Sequence, residues 1–244
     1  MKLIKVRRSF RETKLNILTD SLNAAELCWL KVLECRINLE QYLRMNPKFK
    51  WSLDPVEVEK WAPEVVKRMA SAGFLANVGP MASVAGVLAD MSLEYGLTAM
   101  PTVLVVENGG EIAASTITVP INIGAYAGVG VLRGFSFTIH PEDTPLGVAS
   151  SSSKLGAGVS FGEADLVTVF AENSGLADAV ATAICNLVRS NNSKSVVEKA
   201  LEKALEIKGV RGCIVFYGDV IGFKGWIPEL KPSQTLNFNP LSNR

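Results

Sequence analysis

The sequence predicts an α+β fold with helices packed on mixed, largely antiparallel sheets. Three observations carry that prediction. Helical periodicity dominates the first hundred residues. Short β-branched runs divided by turn signals follow. Two helices and one more strand then close the chain, so the order never repeats as βαβ units. With 244 residues, 20 glycines and 48% hydrophobic residues, there is ample length to bury one tightly packed core. The expected organisation is a single domain over 1–244, with about 1–75 as an N-terminal strand pair and helical part. The polar stretch SQTLNFNPLSNR, about 233–244, reads as a loose tail.

Residues 2–18 alternate as a strand pair. From about Asn23 to Arg44 the pattern becomes helical, with Leu27, Leu30, Leu33 and Ile37 three or four apart and Pro47 beyond the end. Asp54-Pro55 pairs a capping residue with a first-turn proline and predicts a second helix. Ala62-Pro63 interrupts it and restarts a helix carrying Val65, Val66, Met69 and Phe74. GPMASVAGVLADMSLEYG (79–96) predicts a further helix whose small residues Ala82, Ala85, Gly86 and Ala89 allow close approach to its backbone. TVLVVENGGEIAASTITVPINIG alternates, and its Asn108-Gly109-Gly110 is a strong hairpin turn. GFSFTI and DLVTVFAE read as strands, 174–190 and about 193–207 as helices, and GCIVFYG as a final strand.

A net charge of +1 argues against nucleic acid or an anionic membrane as partner. The basic stretch KLIKVRRSFRETK reads as a solvated strand face. No apolar h-region opens the chain, so a cytoplasmic location is expected. Cys28, Cys35, Cys185 and Cys213 lack CxxC spacing, and the one histidine, His140, leaves no His/Cys zinc site. Buried free thiols are the default, and a thiol enzyme built on Cys185 lacks a basic neighbour. The glycines of GAYAGVGVLRG are out of step with a dinucleotide fingerprint.

In LADAVATAIC (176–185), Asp178 and Thr182 stand four apart and share a helix face. Near a helix start, a carboxylate gains roughly 0.3–1 kcal/mol from the macrodipole, which is one complete explanation for an exposed Asp178. Among alanines on a buried helix it needs a partner charge, hydrogen bonds or a cation. Aspartate and threonine oxygens suit Mg²⁺ or Ca²⁺, with water and backbone carbonyls completing the shell. The hydroxyl cluster ASSSSKLG (149–156) can hold phosphate oxygens with Lys154 as counter-charge, or be a polar loop.

In order, GPMASVAGVLAD, VENGGEI, PINIG, GVASSS and ADLVTVFAENSGLADAVATAI resemble the motifs of the ApbE superfamily, the FAD:protein FMN transferases, over roughly residues 75–190. The full length is most similar to an uncharacterised prokaryotic branch of it. The resemblance implies an ApbE-like fold, a flavin nucleotide such as FAD or FMN, and Mg²⁺ on Asp178 and Thr182. It places Gly109, Gly110 and Glu111 beside the nucleotide, Ser151 and Ser152 in its hydroxyl loop, and Gly79 in the motif whose backbone faces metal and pyrophosphate. The implied partner is a small nucleotide ligand, with a homodimer left open. Two departures stand against transfer chemistry. Ala85 replaces the transferases' lysine before the helix-motif glycine, and SKLGAGVSFGEAD has no histidine where they carry His–x–x–Asp–Pro–x–x–Gly. A non-catalytic binding or scaffold protein that keeps the fold is the alternative.

Overall fold

In the computed structural model the described residues are 2–126, 133–153, 162–189 and 193–232. Strands β1 (Ile4–Phe10) and β2 (Thr13–Thr19) form a hairpin. Helix α1 (Leu22–Met45) follows, then the short α2 (Pro47–Trp51) and α3 (Glu64–Ala76). A 3₁₀ turn at Pro80–Ser83 leads into α4 (Val84–Leu97). Next come β3 (Val103–Asn108), β4 (Glu111–Thr116), β5 (Ile121–Tyr126), β6 (Arg133–Ile139), β7 (Leu146–Ser151) and β8 (Leu166–Ala171). Helices α5 (Ser174–Leu187) and α6 (Ser193–Glu206) precede β9 (Val210–Tyr217), β10 (Val220–Gly225) and β11 (Glu229–Pro232).

The strands make an eight-stranded sheet, ordered β1-β2-β3-β4-β7-β8-β9-β10, and a three-stranded sheet, β11-β6-β5. Every described pairing is antiparallel. Strand alternation sorts the residues of the large sheet between two layers. Val148, Leu146, Phe170 and Ile214 face the small sheet together with Phe137 and Ile139. Ala149, Val167, Val169 and Val215 face α5 and α6, and Leu15, Ile17, Leu104 and Val106 face α1 and α4. The N-terminal hairpin is thus part of the main sheet, joined through β2 to β3.

The α+β architecture agrees with the sequence reading; the differences are local. Asp54-Pro55 starts no helix: residues 52–63 are irregular, and α3 begins after Pro63. Pro47 lies just beyond the end of α1, as expected, and there opens the short α2. On α1, the Leu27–Ile37 stripe is not the core face. Ala24, Ala25, Cys28, Val32, Cys35, Leu39 and Tyr42 are buried instead, while Leu30 and Ile37 stand 57% and 53% exposed. Small residues face inward because α4 lies close: a Cβ on Gly96 would come within 2.4 Å of the Cys28 sulfur. Phe74 is likewise half exposed. Lys154, most of SKLGAGVSFGEAD, Gly128, Gly130 and the 233–244 tail lie outside the described residues.

Candidate functional site

The site is built where α4 and α5 cross. Both helices start with small residues, and the crossing uses them fully. A Cβ on Gly86 would sit 2.3 Å from the Ser174 carbonyl oxygen, and one on Gly147 would sit 2.1 Å from the Ser174 nitrogen. At that distance each helix start can be capped by the other helix. Asp90 of α4 accepts the Ser174 N–H (2.8 Å) and the Gly175 N–H (2.7 Å). Asp178 of α5 accepts the Gly86 N–H at 3.0 Å, with the Ala85 amide acting on it in the same sense. Asn173 is the local cap of α5, its side chain accepting the Leu176 N–H at 2.8 Å. The orphan donors of both helix starts are therefore met by exchanged carboxylates.

Burial dominates the electrostatics. Asp90 is 8% exposed, and burial lifts its carboxyl to about 7 against the pull of the Gly175 and Ser174 amides. Burial lifts Glu111 to about 7 as well, with the Glu107 charge adding to it. Asp178 is pushed well above the ordinary carboxylate range, first by burial and then by the Glu111 charge, against the Gly86 amide. Taking a carboxylate out of water disfavours its charged form, and a like charge nearby adds to that. Asp178 and Glu111 therefore form an acid pair that a bound cation would relieve.

Strand geometry brings Glu111 there. Glu111 follows the Gly109-Gly110 turn, whose φ values of 71° and 115° are left-handed and suit glycine. It lies two residues before Ala113, which packs with α1 and α4, so it shares that helix-facing side. On β7, Ala149 packs with α5, and Ser151, two residues on, shares its face. Ser150 points the other way and meets the Thr168 hydroxyl at 2.9 Å. Register puts Ser151 at the turn end of the sheet, since Val148 already pairs with Ile112. Thr182 lies one turn beyond Asp178 and is half-buried. Asp178, Thr182, Glu111 and Ser151 thus share the layer between the sheet and α5, with Ser152 just past the strand. A Cβ on Gly110 would meet nothing within 4 Å, so the turn lies open. Gly79 sits apart from this group in its contacts: a Cβ there would lie 1.9 Å from the Ser52 carbonyl oxygen, which is a packing reason for glycine.

Sequence reasoning missed Asp90 and Ser174. Ser174 is fully buried, and its hydroxyl has no hydrogen-bond partner among the described residues. It stands four residues before Asp178, on the same face of α5. On the Asp90 side of the crossing, a cavity of about 230 Å³ opens between α3, α4 and the start of α5, with Arg68, Glu94 and Asn173 in its lining. Among the described residues no three His, Cys, Asp or Glu side chains converge on one point. A cation here would therefore draw on no more than the Asp178–Glu111 pair for charge, with neutral oxygens completing its shell. All four cysteines are buried and in no disulfide, which leaves Cys185 no access to a substrate. His140 stands at the turn entering β7, where Asp143 accepts its backbone N–H (2.8 Å) and its imidazole lies 3.8 Å from the Glu229 carboxylate. No single described helix is long and apolar enough to cross a membrane.

Comparison with known proteins bears on this geometry. The family described as AbpE bacteria matches residues 5–210. A UPF0280 protein of Methanocaldococcus jannaschii is 44% identical over 229 residues, covering 93% of this chain and 92% of its own length. A UPF0280 protein of Methanococcoides burtonii is 36% identical over 227 residues, covering 93% and 94%. In fold, the chain is similar to the Pseudomonas stutzeri flavinyl transferase ApbE in its apo form, with TM-score 0.60, 13% identity and coverage of 92% and 94%. It is also similar to the flavin transferase ApbE of Vibrio cholerae, with TM-score 0.57, 16% identity and coverage of 93% and 97%. At such identities the structural likeness speaks for the fold alone.

Proposed function

The chain belongs to the AbpE bacteria family, and from that premise we propose that it binds a flavin nucleotide, FAD or FMN, or a similar phosphorylated ligand, together with Mg²⁺ on Asp178 and Thr182. The observation that carries this reading is the half-buried acid pair, Asp178 and Glu111, beside the open Gly109-Gly110 turn and the inward-facing Ser151. The donor set fits the ion. Carboxylate and hydroxyl oxygens are hard ligands that would hold the ion, and water, backbone carbonyls and phosphate oxygens would complete its shell. The orphaned Ser174 hydroxyl is the kind of buried group that a bound water or ligand oxygen satisfies.

When bound, Mg²⁺ supplies charge neutralisation at a pyrophosphate. The chain's own part is to hold and orient. The bare Gly110 backbone admits a close, flat approach, Ser151 and Ser152 offer hydroxyl donors to phosphate oxygens, and Glu111 stands ready to accept a ligand N–H or hydroxyl. Binding without transfer is the reading favoured by Ala85, which brings no amine to the crossing. A scaffold without ligand is the second reading, favoured by the exchanged caps, because these already give Asp90 and Asp178 a complete structural role.

Thermal melts with FAD, FMN and adenine nucleotides, each with and without Mg²⁺, separate the two. A ligand at 100 times its dissociation constant stabilises by about 2.7 kcal/mol, or roughly 5–10 °C for a chain of this size. A rise with a flavin that grows with Mg²⁺ supports the proposal. No rise with any of them supports the scaffold.

A further inference from the structure

Asn108 closes a row that is otherwise apolar. On β3 the side chains facing α1 and α4 are Leu104, Val106 and then Asn108, which is only 4% exposed. A buried amide is costly unless it is hydrogen-bonded, and this one donates from Nδ2 to the Ala85 carbonyl oxygen at 3.0 Å. The Ala85 C=O and the Gly86 N–H are the two ends of one peptide group. That N–H is the one Asp178 accepts at 3.0 Å. The Asn108 side chain, the Ala85–Gly86 peptide and the Asp178 carboxylate therefore form an unbroken hydrogen-bonded chain across the first turn of α4. In such a chain each bond polarises the next. On the sheet, Asn108 pairs directly with Glu111 across the hairpin, and Gly109 follows it into the open turn.

We propose that Asn108 is a positioning residue, which through the Ala85–Gly86 peptide fixes the Asp178 carboxylate and ties it to the Gly109-Gly110 turn. One side chain then keeps the cation side and the nucleotide side of the site in register. Its bearing on binding rests on the nucleotide and Mg²⁺ reading; the relay itself does not. A role in packing alone is one that leucine can fill. Leucine shares the γ-branched shape of asparagine and would continue the row of Leu104 and Val106. Asn108 also lacks the positive φ that would exclude it.

Isothermal titration of FAD into the full chain, with saturating Mg²⁺ and with chelator, tests the proposal on Asn108→Leu. Asn108→Ala serves as the second variant, should leucine crowd the contact with α4. Affinity for FAD in chelator is expected to hold within about twofold, while its enhancement by Mg²⁺ falls on the order of fivefold, the ratio for one net hydrogen bond of about 1 kcal/mol. A loss confined to packing would lower the melting temperature and leave that enhancement intact. The relay is read separately, without ligand, by a double-mutant cycle in chemical denaturation. Because Asn108 and Asp178 act through one peptide, the shift in midpoint caused by Asn108→Ala should at least halve in the Asp178→Asn background. Full Mg²⁺ enhancement in either folded variant overturns the proposal, as do additive shifts in the cycle. If the wild type shows no Mg²⁺ enhancement, the ligand reading falls, and the cycle alone decides whether Asn108 positions Asp178.

Discussion

Removing the charge of Asp90 tests how the α4–α5 crossing is held. Asp90→Asn keeps the shape and one acceptor oxygen but turns an amide NH₂ toward one of the two N–H donors that the carboxylate accepts at 2.8 and 2.7 Å. A buried donor left facing a donor costs about 1–3 kcal/mol. Against this stands the wild type's own penalty. The folded carboxyl titrates near 7 rather than at the ordinary 3.8 because burial opposes its ionisation. The folded protein then holds more protons than the unfolded chain between those values, so the stability this group contributes is fully present below about pH 4 and is lost as pH rises through 7. The span amounts to at most about 4 kcal/mol. Wild type should therefore melt above Asp90→Asn by roughly 4–8 °C at pH 4, with the gap already narrowing at pH 5 and closing or reversing by pH 8. Calorimetric melts of both proteins across that range measure it. A gap that widens with pH would refute the reasoning, because it would mean that the α5 amides outweigh burial and hold Asp90 as an anion.

Other outcomes follow from the same geometry. Gly86→Ala drives a Cβ to 2.3 Å from the Ser174 carbonyl and should destabilise by more than about 3 kcal/mol, whereas Gly110→Ala, strained only by its φ of 115°, should lose about 1 kcal/mol; chemical denaturation compares the two. Incubation with FAD, Mg²⁺ and a flavinylation-motif acceptor should give no covalent FMN adduct by mass, given Ala85 in place of lysine, and an adduct would make the chain a transferase. Stabilisation by Mg²⁺ with nucleotide should grow from pH 5 to pH 8, because Glu111, near 7, and Asp178 must lose protons for a cation to gain their charge; a pH-independent increment would remove both acids from the cation site.

What could be read from the sequence was local. The Gly109-Gly110 turn, the strand alternation around it and the extent of α1 follow from neighbours in the chain, and they stand in the structure within a residue or two. The buried face of α1 was misread because a leucine stripe is the stronger apolar signal, while a helix pressed against α4 needs alanine and cysteine there. Asp54-Pro55 carried a helix-start signal, but no apolar repeat that could be buried followed it. The site was half legible. Asp178 and Thr182 are visible as i, i+4 partners, but the exchange of caps is non-local, and Asp90 lies 84 residues from the Ser174 N–H it accepts. A faint signal was present: Leu88-Ala89-Asp90 and Leu176-Ala177-Asp178 are the same triplet, each with its aspartate four residues past a helix-start contact residue, Gly86 and Ser174.

The central claim is that Asp178 and Thr182 hold a cation for a phosphorylated ligand, beyond capping α4. Isothermal titration of FAD into wild type, Asp178→Asn and Thr182→Val, each with saturating Mg²⁺ and with chelator, tests it most directly. Asparagine preserves an acceptor for the Gly86 N–H, so folding survives while the charge is lost. The account predicts that Mg²⁺ strengthens FAD binding to the wild type, that this increment vanishes in Asp178→Asn, and that it shrinks in Thr182→Val, where a neutral ligand is removed. An identical Mg²⁺ response in wild type and Asp178→Asn would contradict the account and leave Asp178 as the cap of α4 alone.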